Sequence, residues 1–164
     1  MTVEVVPWNK VPRAPALYAM YGGSPQRTWV AYVGQGGNLA ERLSQHLERR
    51  DSSVATGVQA VGLNVDHVVH VAWWLHPAFT DDITREAAEL VAFRVLDPAL
   101  RSRGNPRRAA VDLASDPVFV ATMEGLFSGA PDGIYRPPRL SELAEQIATL
   151  QARIERLEGS AHSH

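Results

Sequence analysis

At 164 residues the chain accommodates one domain and a short appendage, and is too short for two full domains. Its 45% hydrophobic and 21% charged residues are ordinary for a globular protein, no apolar run approaches the roughly 18 residues of a membrane span, and Met1–Lys10 lacks the pattern of a signal peptide, so a cytoplasmic location with no membrane partner is expected. A net charge of −2 argues against nonspecific coating of nucleic acid, and the absence of cysteine excludes disulfides, thiol nucleophiles and thiolate zinc sites, which leaves oxygen and imidazole as metal ligands.

Residues 1–14 read as irregular, because Pro7, Pro12 and Pro15 interrupt helix and ladder alike. Ala16 to Tyr21 and Thr28 to Val33 read as two strands of a hairpin around a Gly/Pro turn. Gly34-Gln35-Gly36-Gly37 ends the second strand, and Asn38 is placed to cap a helix running to about Arg49. Leu39, Leu43 and Leu47 form its expected buried stripe, with Arg42 and His46 at the border one turn apart. A third strand is expected over Val65 to Leu75. In it Trp73 and Trp74 alternate, one for the core and the other for core, surface or base stacking. His67 and His70 stand three apart in this strand, face opposite sides and do not chelate one ion.

The next helix, capped by Thr80 or Asp81, runs to about Leu96 and stops at Asp97-Pro98. Between Ala87 and Phe93 its one polar residue is Glu89. The following loop places Arg101, Arg103, Arg107 and Arg108 within eight residues. The fifteen Arg against the single Lys10 suit bidentate phosphate contacts, although codon bias produces the same skew. Asp116-Pro117 has the form of a cap and first-turn pair opening a helix to Phe127, and Ser128 to Pro138 reads as a Gly/Pro linker.

Ala16-Leu17-Tyr18, then Tyr32-Val33-Gly34, then Asn38-Leu39 with Arg42 and His46, and Glu89 on a later helix resemble the GIY-YIG nuclease family over roughly residues 12–105. The resemblance implies a small α/β domain (residues 1–128) with a three-stranded antiparallel sheet flanked by helices, and a metal-dependent endonuclease acting on nucleic acid, with DNA the expected substrate. It also implies a single Mg²⁺ or Mn²⁺ held mainly by Glu89 with water completing the shell, Tyr18 as base or orienter of the attacking water, and Tyr32 placing water or phosphate. Arg42 would neutralise phosphate charge and His46 would assist proton transfer. Two positions depart from the pattern. Ala16 replaces a Gly, and the usual interval from Glu89 to an Asn lands on Arg101, so Asn105, four residues on, is assigned that role. A literal Gly133-Ile134-Tyr135 falls in the linker and reads as coincidence.

The residue chemistry agrees with these assignments. Phosphodiester hydrolysis needs a placed water, an acceptor for its proton and charge stabilisation at phosphorus. A carboxylate inside an apolar helical run is costly unless paired or coordinated, which favours Glu89 over its rival Glu86 as a ligand, unless Glu89 simply pairs with Arg85. A tyrosine acting as a base needs a cation nearby, and Arg42 or the metal supplies one. Arg101, Arg103, Arg107 and Arg108 would contact phosphate or form a solvated turn. An alternative from another class is a catalytically weakened nucleic-acid-binding module of the same fold, and a further one is an interaction protein that works through its last helix.

That last helix, residues 140–158 after a linker over 129–139, places Leu140, Ile147 and Ile154 at heptad position a and Leu143, Leu150 and Leu157 at d. Ile at a with Leu at d favours a parallel two-stranded coiled coil, so a homodimer is expected, the alternative being a helix packed on its own domain.

Overall fold

The computed structural model describes the backbone of residues 3–24, 27–49, 67–101, 104–138 and 140–161; the expected start of the third strand at Val65 and the side chain of Arg103 lie outside the described residues. Strand β1 (Ala16–Ser24) and strand β2 (Arg27–Gly36) form an antiparallel hairpin whose strands extend several residues into the segment expected to be a turn. Helix α1 (Leu39–Leu47) follows, with the Asn38 side chain accepting from the Glu41 amide at 3.2 Å as its cap.

Strand β3 (Val68–Trp74) pairs with the other side of β1. Helix α2 (Asp82–Leu96) begins at Asp81, whose carboxylate accepts from the Thr84 amide, and ends at Asp97, whose left-handed backbone (φ 43°) stops the helix before Pro98. Two further helices, α3 (Arg108–Leu113) and α4 (Pro117–Ser128), complete this side, the second opened by Asp116 and Pro117.

Four strands form the sheet where three are expected. Strand β4 (Gly133–Tyr135) pairs with β3, giving the order β2-β1-β3-β4. The Gly-Ile-Tyr of the supposed linker is therefore a sheet edge, and its Gly is required there. A Cβ on Gly133 would lie 2.2 Å from the Trp73 ring, so only glycine lets β4 approach. Residues 136–139 alone separate β4 from the last helix, α5 (Leu140–Ala161).

The sheet is buried on both faces. Leu17, Ala19, Val33, Ala72 and Trp74 pack against α2 and against Met123 and Phe127 of α4, with Trp74 edge-on to Phe127. Tyr18, Met20, Tyr32, Val71 and Trp73 pack against Leu39 and Leu43 of α1 and against Val11. Both tryptophans are thus core residues, one on each face, and neither is available to stack on a base. This two-sided burial explains why β1 and β3 read as nearly continuous apolar runs.

The layering also fixes where a site can form. Helices α1 and α2 lie on opposite faces, and β2 is an edge strand, so side chains from both helices meet only past the β2 edge. The chain after α2 returns along that edge, where the Ala99 and Leu100 amides donate to the Val30 and Ala31 carbonyls. Among the described residues no helix is long and apolar enough to cross a membrane.

Candidate active site

A cavity of about 330 Å³ opens at the β2 edge and is lined by Tyr32 and Gln35 of β2, Arg42 of α1, Glu86, Glu89, Leu90 and Phe93 of α2, and Arg101, Gly104, Asn105 and Pro106 of the returning chain. Of the residues singled out in the sequence, Tyr32, Arg42, Glu89, Arg101 and Asn105 meet there. Arg101 and Asn105 both line it, so the four-residue offset between them does not remove either from the site. Arg101 also lies over the Phe93 ring and within 3.7 Å of Asp97.

Tyr18 and His46 form a second row. The Tyr18 hydroxyl lies 2.6 Å from His46 Nε2, both residues are fully buried, and the His46 ring packs 5.8 Å from each of the Tyr18 and Tyr32 rings. His46 does not sit at the stripe border. Taking about 100° per residue from Leu39, Leu43 falls about 40° to one side and His46 about 20° to the other, while Leu47 lies about 80° away. His46 is accordingly in the core and Leu47 half-buried.

Burial and the positive charge of Arg42 press the His46 pKa down to about 3, so its imidazole is neutral near pH 7. Burial, with Tyr32 adjoining, holds the Tyr18 phenol protonated and well above its ordinary range. With a protonated phenol facing a neutral imidazole, Tyr18 donates and Nε2 accepts. The Tyr18 oxygen then has lone pairs left on the side where Tyr32 and Arg42 adjoin it. Burial and the neighbouring Glu89 raise the Tyr32 pKa to about 12.

Gly34 makes this packing possible. A Cβ there would stand 2.5 Å from the Tyr18 hydroxyl and 2.7 Å from the Tyr32 ring. The third residue of Tyr32-Val33-Gly34 is therefore glycine for space, because Tyr18 lies directly across the ladder from it. Ala16, where the family pattern has Gly, is buried in the core and does not have a positive φ, so the methyl group is accommodated.

Glu89 is 8% exposed and has no hydrogen bond or ion pair among the described residues. Burial, and the charge of Glu86 one turn back, raise its pKa to about 7 against an ordinary 4.5, with Arg42 and Arg85 pulling the other way. Its neighbours are committed elsewhere. Glu86 accepts from both the backbone and the side chain of Arg107, which pins the returning loop to α2. Arg85, whose pairing with Glu89 the sequence left open, instead donates to Gln35 Oε1, the Phe79 carbonyl and Asp82 Oδ1. Arg108 pairs with Asp112 at the start of α3 and does not line the cavity.

Gln35 is the lining residue that the sequence reading missed. By alternation it belongs to the opposite face from Tyr32, the face that α2 covers, and near the end of the strand it lines the cavity with Arg85 donating to its Oε1. An Arg can only donate, so the Gln35 carbonyl oxygen faces Arg85 and its amide nitrogen is left for other partners.

No cluster of three or more His, Asp or Glu suited to a metal occurs among the described residues. A Mg²⁺ ion that keeps most of its water needs no such cluster, and a buried carboxylate without a partner at the wall of a polar cavity fits that demand. Compared with known family models, curated proteins and solved structures, the chain matches none.

Proposed function

We propose that this protein is a metal-dependent endonuclease of the GIY-YIG type that hydrolyses phosphodiester bonds, with DNA as its substrate. The observation that carries the reading is the convergence of Tyr32, Arg42 and the partnerless, buried Glu89 on one cavity from three separate elements. Structural needs alone give little reason to leave a carboxylate there, since an unpaired buried acid costs stability.

In this reading Glu89 holds a Mg²⁺ or Mn²⁺ ion, which when bound polarises the phosphate and lowers the pKa of its water. Arg42 stands across the cavity as the fixed positive charge for the non-bridging oxygens, its side chain steadied by a 2.9 Å bond from Nη1 to Gln45. Tyr32 presents its hydroxyl to the attacking water. Tyr18, locked by His46, fixes that hydroxyl from behind and is a positioning residue in the metal-free geometry. Its high pKa means that it acts as a base only when a cation nearby favours the phenolate. Gln35 offers an amide donor and Asn105 an amide that can donate or accept, both suited to phosphate oxygens.

Incubating the full chain with supercoiled plasmid, with and without Mg²⁺ or Mn²⁺, tests the reading. Metal-dependent nicking is expected, with loss of at least a hundredfold in rate for Glu89→Ala and for Arg42→Ala. Equal rates for wild type and Glu89→Ala would sink the metal assignment. The sealed Tyr18–His46 pair favours one other reading, a binding module of the same fold with weakened catalysis. A protein that retards DNA on a gel but leaves plasmid intact in either metal would establish it.

A further inference from the structure

Helix α5 carries an apolar stripe that stands largely exposed among the described residues. Along it Leu143, Ile147, Leu150, Ile154 and Leu157 are between 37% and 65% exposed. Most of a helix's stability comes from packing an amphipathic face, and on this helix of 22 residues five large apolar side chains on one face call for a partner. Among the described residues the body of the protein offers no counterpart. Its exposed large hydrophobic residues, among those described, are Val5, Trp29, Val111 and Val118, which stand on four separate segments and form no stripe of matching pitch. A matching surface exists on α5 itself.

We propose that α5 is the interface of a parallel, two-stranded, in-register homodimer. Ile147 and Ile154 occupy position a, and Leu143, Leu150 and Leu157 position d, the distribution that packs best in two parallel strands. The flanking positions choose the direction. In the parallel register Arg153 at g meets Glu158 at e of the second copy, twice by symmetry, and Gln146 meets Gln151. The antiparallel register sets Arg153 against Gln146 and leaves Glu158 without a basic partner. No like charges meet in the parallel arrangement. The inference does not depend on what the cavity at the β2 edge does.

Sedimentation of the full chain at micromolar concentration tests the association. A species of twice 18.0 kDa is expected, becoming a monomer with unchanged near-ultraviolet dichroism in the double variant Ile147→Asp, Leu150→Asp, because the core lies in the other elements. A wild-type monomer, a trimer or tetramer, or a dimer that survives the double variant would each overturn the proposal. Direction is read with Leu143→Cys, the sole thiol in a chain that otherwise has none. Under mild oxidation the parallel pair crosslinks nearly completely, since facing d positions fall within disulfide reach. In the antiparallel pair the two thiols stand more than about 15 Å apart, so a dimer in sedimentation that stays uncrosslinked would overturn the parallel arrangement.

Discussion

Glu89 sets the pH behaviour expected of the metal-free protein. Below about pH 4.5 its carboxyl is protonated both folded and unfolded and contributes nothing. Between there and about pH 7 the unfolded chain ionises while the folded one keeps its proton, so the group opposes folding increasingly as pH rises, levelling off above the folded value. Glu89→Gln removes this effect at nearly constant volume. In chelator its melting temperature should match wild type near pH 4 and exceed it above pH 7, with the full difference worth up to about 3 kcal/mol. Adding Mg²⁺ should reverse the order at pH 8 by stabilising wild type alone. A difference that does not change with pH would mean that Glu89 titrates alike in the folded and unfolded chain, so that its carboxyl is not held in a desolvated site. The acidic residue was legible from the sequence because a single carboxylate interrupts an apolar helical run. The role of Gly34 was not, since it depends on Tyr18 lying across the ladder, a pairing that spacing along one strand does not reveal.

Elements bring these residues together, and here the sequence was legible wherever capping or periodicity acts locally. Asn38 and Asp116 cap the helices they were expected to open, Asp81 is the one of the two candidates, Thr80 and Asp81, that caps α2, and the left-handed Asp97 ends α2 where Pro98 forbids continuation. It failed at β4, where Gly133-Ile134-Tyr135, set in a Gly/Pro-rich stretch, becomes a strand because β3 offers an edge and Gly133 leaves room for the Trp73 ring. The chain between α2 and α3 is a second case. Its Arg residues read alike in sequence, but the fold divides their work. Arg107 fastens the loop to Glu86, Arg101 lines the cavity, and Arg108 is occupied with Asp112 outside it. Under the proposed function, Arg101→Ala should therefore weaken DNA binding and reduce the salt slope of log Kd by roughly one phosphate contact, while Arg108→Ala should change the slope much less. Arg107→Ala should raise protease cleavage within residues 97–107 by releasing the loop from α2. Fluorescence titrations over a range of salt, and limited proteolysis, separate the three. Equal slope changes for Arg101→Ala and Arg108→Ala would mean that the loop meets DNA as a diffuse charge rather than at the cavity.

At the scale of the whole molecule, the proposed function and the proposed pairing of α5 together predict what a cut becomes. In each body the cavity at the β2 edge has one uncommitted carboxylate among the described residues, so under the proposed function it holds one ion and cleaves one strand per event. A parallel pair brings both bodies to the same end of the coil. Each is joined to it through residues 136–139, so that Tyr135 and Leu140 stand at most about 18 Å apart, because β4 anchors the chain to the sheet up to Tyr135. That tether is much shorter than the full 129–139 linker expected from composition, so the two sites are confined near each other. Once one body has nicked a strand, the second meets the opposite strand at an effective concentration on the order of millimolar. Wild type should therefore convert supercoiled plasmid to linear product with little open-circle intermediate. The monomeric variant Ile147→Asp, Leu150→Asp leaves the cavity untouched and should nick at a comparable rate per site, yet accumulate open circle and linearise at least tenfold more slowly. Time courses at equal site concentration decide it. A monomer that linearises as fast as wild type would show that each body acts alone on both strands, and that the pairing of α5 serves something other than the double-strand break.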